Sequence, residues 1–250
     1  MGNEKHSSLT IETATLLHLF VGAVCAWVAL KTIPKLLPRL YKGRLEALDN
    51  ELLCALRHKD NLASPIGPKW LPDVAQDITS LGSGTNLTTV SSVLVGFLCL
   101  NRRFRAAGFL LASLGSGLLL CQSLKGFFVR RRPNVVPHLA RFDPASFPSG
   151  HSMGSALVYL TLGGVISRQV TGSLAKAYFL SVAVGLTTLV GLSRIYLGVH
   201  YPSDVLAGWA AGSLWSSACA QTARWLQHRG EVERPAESYP LGASGTTDTR

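Results

Sequence analysis

The chain has 250 residues, enough for one large domain or two small ones. Hydrophobic residues make up 47% and charged residues only 15%, well below the usual share of about a quarter, and the apolar residues gather in runs of membrane-spanning character. That excludes an ordinary soluble domain and reads as an integral membrane protein. The formal charge of +10 lies largely in short loops, with no zinc-finger spacing and no basic helix with interleaved aromatics, so no nucleic-acid partner is expected. Five scattered cysteines (Cys25, Cys54, Cys99, Cys121, Cys219), four within apolar runs, imply neither a disulfide framework nor a metal site.

Residues 1–13 form a polar lead, and the apolar run at 14–30 begins the first membrane span. A secretory signal fits less well, because the lead carries little positive charge and no A-x-A site follows. His18 within that run reads as a satisfied or interface-facing histidine. Residues 31–85 are polar, mixed in charge and punctuated by Pro34, Pro38, Pro65, Pro68 and Pro72. Within them Leu45, Leu48, Leu52 and Leu56 recur at helical spacing among Arg44, Glu46, Asp49, Glu51 and Arg57, which predicts an amphipathic helix on the membrane surface or packed over the bundle. Its charges need no role beyond a solvated face. Further spans are expected at 86–100, 106–124, 152–167, 175–193 and 203–222, about six in all, with a polar, disordered tail at 227–250. The domain then occupies residues 14–226, and the expected fold class is all-α, a polytopic membrane helix bundle with an interfacial amphipathic helix.

Chemistry-bearing residues stand at the ends of these spans. The third ends in K-G-F-F-V-R-R-R-P, Lys125 to Pro133; a helix would put Lys125 and Arg132 on one face, but Pro133 disfavours helix at Arg132. Alone, this stretch also reads as a basic collar at a membrane interface. Pro148-Ser149-Gly150-His151 precede the fourth span: Ser149 suits a helix N-cap, Gly150 lets a ligand approach the backbone, and the helix start offers N–H groups to an anion. A capped helix with an interfacial histidine is the plainer reading of that tetrapeptide. Between the last two spans lies S-R-I-Y-L-G-V-H-Y-P-S-D, Ser193 to Asp204. There Asp204 can fold back onto one nitrogen of His200 and hold the other forward as base or nucleophile, while Arg194 offers a planar cation to phosphate oxygens. Alternating spans place the three stretches on one side of the membrane, where they fit an anion with several oxygens. These residues alone do not decide whether His200 or His151 is the nucleophile.

The patterns K-x6-R-P, P-S-G-H and S-R-x5-H-x3-D at residues 125–204 closely resemble the three-part signature of the type 2 phosphatidic acid phosphatase superfamily, with no departure at any signature position. The resemblance implies a lipid phosphate or diphosphate phosphatase that works without metal or other cofactor. Candidate substrates are undecaprenyl diphosphate, phosphatidate, phosphatidylglycerophosphate or a lipid A phosphate. It implies His200 as the attacking nucleophile, oriented by Asp204, and His151 as the proton donor to the leaving oxygen and activator of water. Lys125, Arg132, Arg194, Ser149 and the Gly150 backbone would bind phosphate. The same resemblance places the site on the extracytoplasmic side of a cell membrane, and the compact length suits a bacterial inner membrane; Lys and Arg in the loops do not themselves settle orientation. A lipid-to-lipid phosphotransferase would share the signature, and a vanadate-dependent haloperoxidase uses a related site on a larger, soluble protein. A non-catalytic anion-binding membrane protein or transporter would need the cations but not His200, His151 and Asp204 together. His138, Arg130, Arg131 and Arg141 lie in the same loop outside the signature, either widening a basic funnel or only decorating the interface.

Overall fold

Each long apolar run among the described residues becomes a helix, because backbone N–H and C=O groups in lipid must be satisfied within their own segment. The computed structural model describes residues 45–128, 130–140, 145–168 and 170–233. The expected first span at 14–30, with His18 and Cys25, lies outside those residues, as do Arg141 and the tail from 234. The chain divides into two units, Met1–Leu48 and Asp49–Arg250; of the first, only residues 45–48 are described.

The described residues are mostly helical. In order they form α1 (Glu46–Ala55), a short antiparallel pair β1 (Arg57–His58) and β2 (Asn61–Pro65), α2 (Leu71–Ser80), α3 (Gly84–Leu100), α4 (Phe104–Phe128), α5 (Gly150–Ser167), α6 (Ser173–Tyr196) and α7 (Pro202–His228). The five expected spans from residue 86 onward fall within α3 to α7. The β1–β2 pair was not expected; it is a two-stranded ribbon in the proline-punctuated stretch, closed around Lys59 and Asp60. Two helices, α4 and α6, are long and apolar enough to cross a membrane, and α2 with α3 makes a third if that pair, bent by 46°, is one span.

The bend between α2 and α3 has an identifiable structure. Ser83 caps α3 by accepting from the Asn86 N–H, and the Tyr159 hydroxyl takes up the Leu81 carbonyl at 2.7 Å. Non-helical backbone at membrane depth persists where protein satisfies it or a cavity borders it, and both conditions hold here. Central in the bundle is α5, with nine buried residues from Ser152 to Gly163, packed on α6 and α7. Its apolar core joins Leu87, Leu94 and Leu98 of α3 to Leu110 and Leu114 of α4 and to Leu157 and Val158. Outer faces carry large apolar residues such as Leu119, Leu174, Val184 and Leu214, as expected of surfaces that meet lipid.

Between lipid-facing helices the hydrophobic effect gives little net attraction, so association depends on close van der Waals packing through small residues. Gly208, Gly212 and Ser216 of α7 form such a stripe against α5, all buried. A Cβ at Gly212 would lie 2.5 Å from the Met153 carbonyl oxygen and 2.8 Å from the Ala156 Cβ. Neither neighbour can retreat without moving the α5 backbone. Gly212→Ala is therefore expected to destabilise the detergent-solubilised protein by about 1–3 kcal/mol, read as a lowered thermal midpoint, whereas Gly164→Ala, which meets nothing within 4 Å, should leave it unchanged.

Candidate active site

The ends of α4, α5, α6 and α7 meet at one end of the bundle. Lys125 stands in the last turn of α4, Ser149 caps α5, Arg194 closes α6 and Asp204 sits in the first turn of α7. After Arg194 the chain must reverse sharply, and Gly198 does this with φ at +72°. Its N–H bonds to Ile195, and the Val199 N–H reaches back to the Arg194 carbonyl at 3.2 Å. The turn drops His200 into the protein with only 1% of its surface exposed. A side chain at 198 would collide with Arg57, Val136 and the Pro137 carbonyl.

His200 Nδ1 lies 3.5 Å from Asp204 Oδ2, an ion-pair separation longer than a good hydrogen bond. Nε2 lies 3.1 Å from Arg132 Nη1. A guanidinium can only donate, so Nε2 takes the acceptor role, and the ring proton belongs on Nδ1, facing the carboxylate. Burial drives the His200 pKa down to about 4; Asp204 opposes that shift, and Arg132 and Arg194 add to it. The imidazole is therefore neutral near pH 7.

Lys125, Arg132, Gly150, His151, Arg194 and His200 line one cavity of about 410 Å³. The rest of its lining is mainly small or apolar, including Leu87, Leu118 and Gly154. Ser149 is fully buried and accepts from the Ser152 N–H at 3.4 Å, so it holds the helix start rather than lining the space. Lys125 lies over the Gly150 backbone, since a Cβ there would come within 3.3 Å of its Nζ. Arg132 is held by the Val199 carbonyl and by Ala145 O at 3.3 Å, and Arg194 donates to Thr79 Oγ1 at 3.1 Å. Three cations and a helix N-terminus thus face one space, an arrangement suited to an anion with several oxygens. Among the described residues, no group of three or more His, Cys, Asp or Glu could hold a metal ion.

Comparison with known proteins shows the family of the chain. The PAP2 superfamily matches residues 106–227. Phosphatidylglycerophosphatase B of Bacillus subtilis (strain 168) is 34% identical over 146 residues, 58% of this chain and 71% of that protein. The chain belongs to the PAP2 superfamily. The crystal structure of a transmembrane PAP2-type phosphatidylglycerolphosphate phosphatase from Bacillus subtilis superposes with a TM-score of 0.67 at 28% identity, covering 80% of this chain and 96% of the other. The undecaprenyl-diphosphatase of Sulfolobus acidocaldarius is 32% identical over 130 residues, 50% of this chain and 58% of its own length.

Within this PAP2 site, several expectations need correction. Lys125 and Arg132 do not share a helix face, as Pro133 implied: α4 ends at Phe128, and both residues line the cavity. The α1 leucine stripe faces outward, with Leu45, Leu48 and Leu52 all exposed, while the opposite face buries Leu53 and Asp49. Asp49 is thus no part of a solvated charge run. Its Oδ2 accepts from Arg130 Nη2 at 2.9 Å and its Oδ1 from the Ser203 N–H at 3.0 Å. Nor does Arg130 widen a funnel or decorate an interface, since its Nη1 donates to Asp204 Oδ1. His138 bonds the Pro133 carbonyl at 2.6 Å within its own loop, and Arg131 is exposed. Sequence reading also missed Ser146, which donates to Asp204 Oδ2 at 2.5 Å, and Thr79. The one available signal was Arg130 itself, a loop cation beside the signature.

A folded-state pKa below the ordinary 6.5 means that the unfolded chain binds the His200 proton first, so stability falls as pH drops from 6.5 towards 4. His200→Gln, neutral throughout, should lose on the order of 3 kcal/mol less stability than the wild type over that interval, measured as detergent-solubilised thermal unfolding against pH.

Proposed function

We propose that the protein is a multi-span membrane enzyme that hydrolyses a terminal phosphate from a lipid phosphate or diphosphate. The observation that carries this reading is the two-sided setting of His200. One ring nitrogen faces a buried carboxylate, and the other meets a cavity shared by Lys125, Arg132, Arg194 and His151. Anion binding alone requires the cations but neither the oriented imidazole nor a second histidine.

In the proposed sequence, a phosphate oxygen takes over the Arg132 Nη1 donor, and the freed lone pair on Nε2 of neutral His200 attacks phosphorus while the bond to the leaving oxygen breaks. His151 gives its proton to that oxygen, and the phosphoryl group remains on His200. His151 then takes a proton from water, whose oxygen attacks phosphorus; the P–N bond breaks, inorganic phosphate leaves and His200 returns to its neutral form. Lys125, Arg132, Arg194 and the N–H groups at the start of α5 stabilise the charge on the equatorial oxygens. Asp204 offsets the positive charge on the imidazole while the phosphoryl group is attached.

Leu87, Leu118 and Gly154 give the cavity an apolar side suited to a lipid substrate. Phosphatidylglycerophosphate is the first candidate, because the relative named for it is matched over 71% of its length. Undecaprenyl diphosphate is the second, on a relative matched over 58%. The reading includes about six spans, with the site on the extracytoplasmic side of a bacterial inner membrane.

Phosphate release by the detergent-purified protein, with EDTA present, across phosphatidate, phosphatidylglycerophosphate and undecaprenyl diphosphate tests this reading. Release from one lipid class is expected. His200→Ala should lose at least about 10³-fold in kcat while still binding inorganic phosphate, and His151→Ala about 10²- to 10⁴-fold. Unchanged turnover in His200→Ala would remove the mechanism. Turnover that appears only when a second lipid accepts the phosphate would make the protein a phosphotransferase.

A further inference from the structure

On the far side of His200 from the cavity, five polar side chains (Ser146, Asp204, Arg130, Ser203 and Asp49) form one connected string. Asp204 is fully buried, and its two oxygens have separate duties. Oδ2 accepts from Ser146 Oγ and from the Tyr201 N–H at 3.0 Å, and faces His200 Nδ1; Oδ1 accepts from Arg130. The carboxylate cannot turn without breaking bonds on both oxygens. The Arg130 guanidinium lies over the Tyr201 ring at 4.1 Å, which sets its plane. Its Nη1 also donates to Ser203 Oγ at 2.9 Å, while its Nη2 is held by Asp49, 2% exposed on α1. Asp49 fastens the string to α7, because it also accepts the Ser203 N–H and hydroxyl.

We propose that Asp49 and Arg130 are positioning residues for the His200–Asp204 pair, with Arg130 locking the Asp204 carboxylate in place and Asp49 locking and charge-balancing Arg130. This rests on the reading of His200 as the nucleophile. A guanidinium set against Asp204 alone would draw the carboxylate's charge away from the imidazole. A second carboxylate beyond it opposes that draw, so among the described groups two anions and one cation stand behind His200. That arrangement complements the positive ring formed while the phosphoryl group is attached. The helix that looks like a membrane-surface element thereby braces the reacting histidine.

The charged groups facing His200 are Asp204 from α7, Arg132 from the loop after α4 and Arg194 from α6. Lys125 of α4 and His151 of α5 line the same cavity. Against that background the two new residues have opposite electrostatic signatures. Asp49→Asn removes one negative charge from behind the imidazole, so the acid limb of kcat/KM should move to lower pH. Arg130→Gln leaves two carboxylates facing each other behind the imidazole, so the limb should move to higher pH. The double variant should return towards the wild-type limb.

The test measures kcat, KM and the acid limb for these variants in detergent, on whichever lipid of the three-substrate panel the wild type hydrolyses, with thermal midpoints as the check on folding. Asp49→Asn is expected to lower kcat about 10- to 100-fold with KM within about threefold, and Arg130→Lys to retain more activity than Arg130→Gln. A purely structural role would lower the active fraction and leave the limb in place. Folded Asp49→Asn with kcat within about twofold of wild type and an unmoved limb would overturn the proposal, as would limbs of Asp49→Asn and Arg130→Gln that move the same way. Should Arg130→Gln not fold, the near-isosteric Asp49→Asn and the charge-keeping Arg130→Lys still decide. His200→Ala separates the two levels: activity retained there sinks the underlying mechanism, whereas His200→Ala inactive beside an unaffected Asp49→Asn sinks only the positioning role.

Discussion

A carboxylate removed from water inside a helix bundle costs several kcal/mol unless donors surround it, and the site is built around meeting that cost for Asp204. The donors come from separate parts of the chain: Ser146 before α5, Tyr201 before α7, and Arg130 after α4. They can converge only if the same ends of these helices meet at one point. The Asp204 backbone reinforces the junction, since its carbonyl accepts from the Ser149 N–H at 3.0 Å. Thus the residue that faces His200 Nδ1 also joins the N-cap of α5 to the first turn of α7. Bundle geometry and site geometry share one buried charge.

The cations show the complementary arrangement. Arg132 and Arg194 are almost fully buried, and among the described residues Arg132 is held by the Val199 and Ala145 carbonyls and Arg194 by the Thr79 hydroxyl. Both guanidinium groups line the cavity, while the carboxylates of Asp204 and Asp49 lie on the other side of the imidazole. Burial is the main cause of the lowered His200 pKa; Arg132 and Arg194 add to it and Asp204 opposes it.

What could be read from the sequence was local. The apolar runs marked the helices from α3 to α7, Ser149 stood where a cap was expected, and the four-residue interval from His200 to Asp204 fitted a turn into a helix start. Asp49 was misread for a physical reason. The charges around the leucine stripe were read as one solvated face, but Leu48 and Leu52 are exposed and Asp49 lies with Leu53 on the buried face, where Arg130 and Ser203 satisfy it. Its partner Arg130 lies 81 residues away, a distance over which no sequence period operates. The interval from Lys125 to Arg132 would suit one helix face, but Pro133 disfavours helix at Arg132; α4 ends at Phe128, and both side chains reach the cavity by another route.

The family match begins at residue 106, yet Thr79 anchors Arg194 and Gly82, Gly84 and Leu87 form part of the cavity wall. Those residues belong to α2, α3 and the break between them, where a Cβ on Gly82 would strike Val190 at 2.4 Å and His151 at 3.3 Å. The close approach of that break to His151 makes this wall continuous with the reacting centre. On the proposed reading, the shared stretch supplies the groups that act on phosphorus, and the bent α2–α3 pair closes the space around what carries the phosphate. On that reading the phosphoryl group would meet the ends of α4 to α7 whatever lipid carries it, and the rest of the lipid would meet a wall drawn from a different part of the chain.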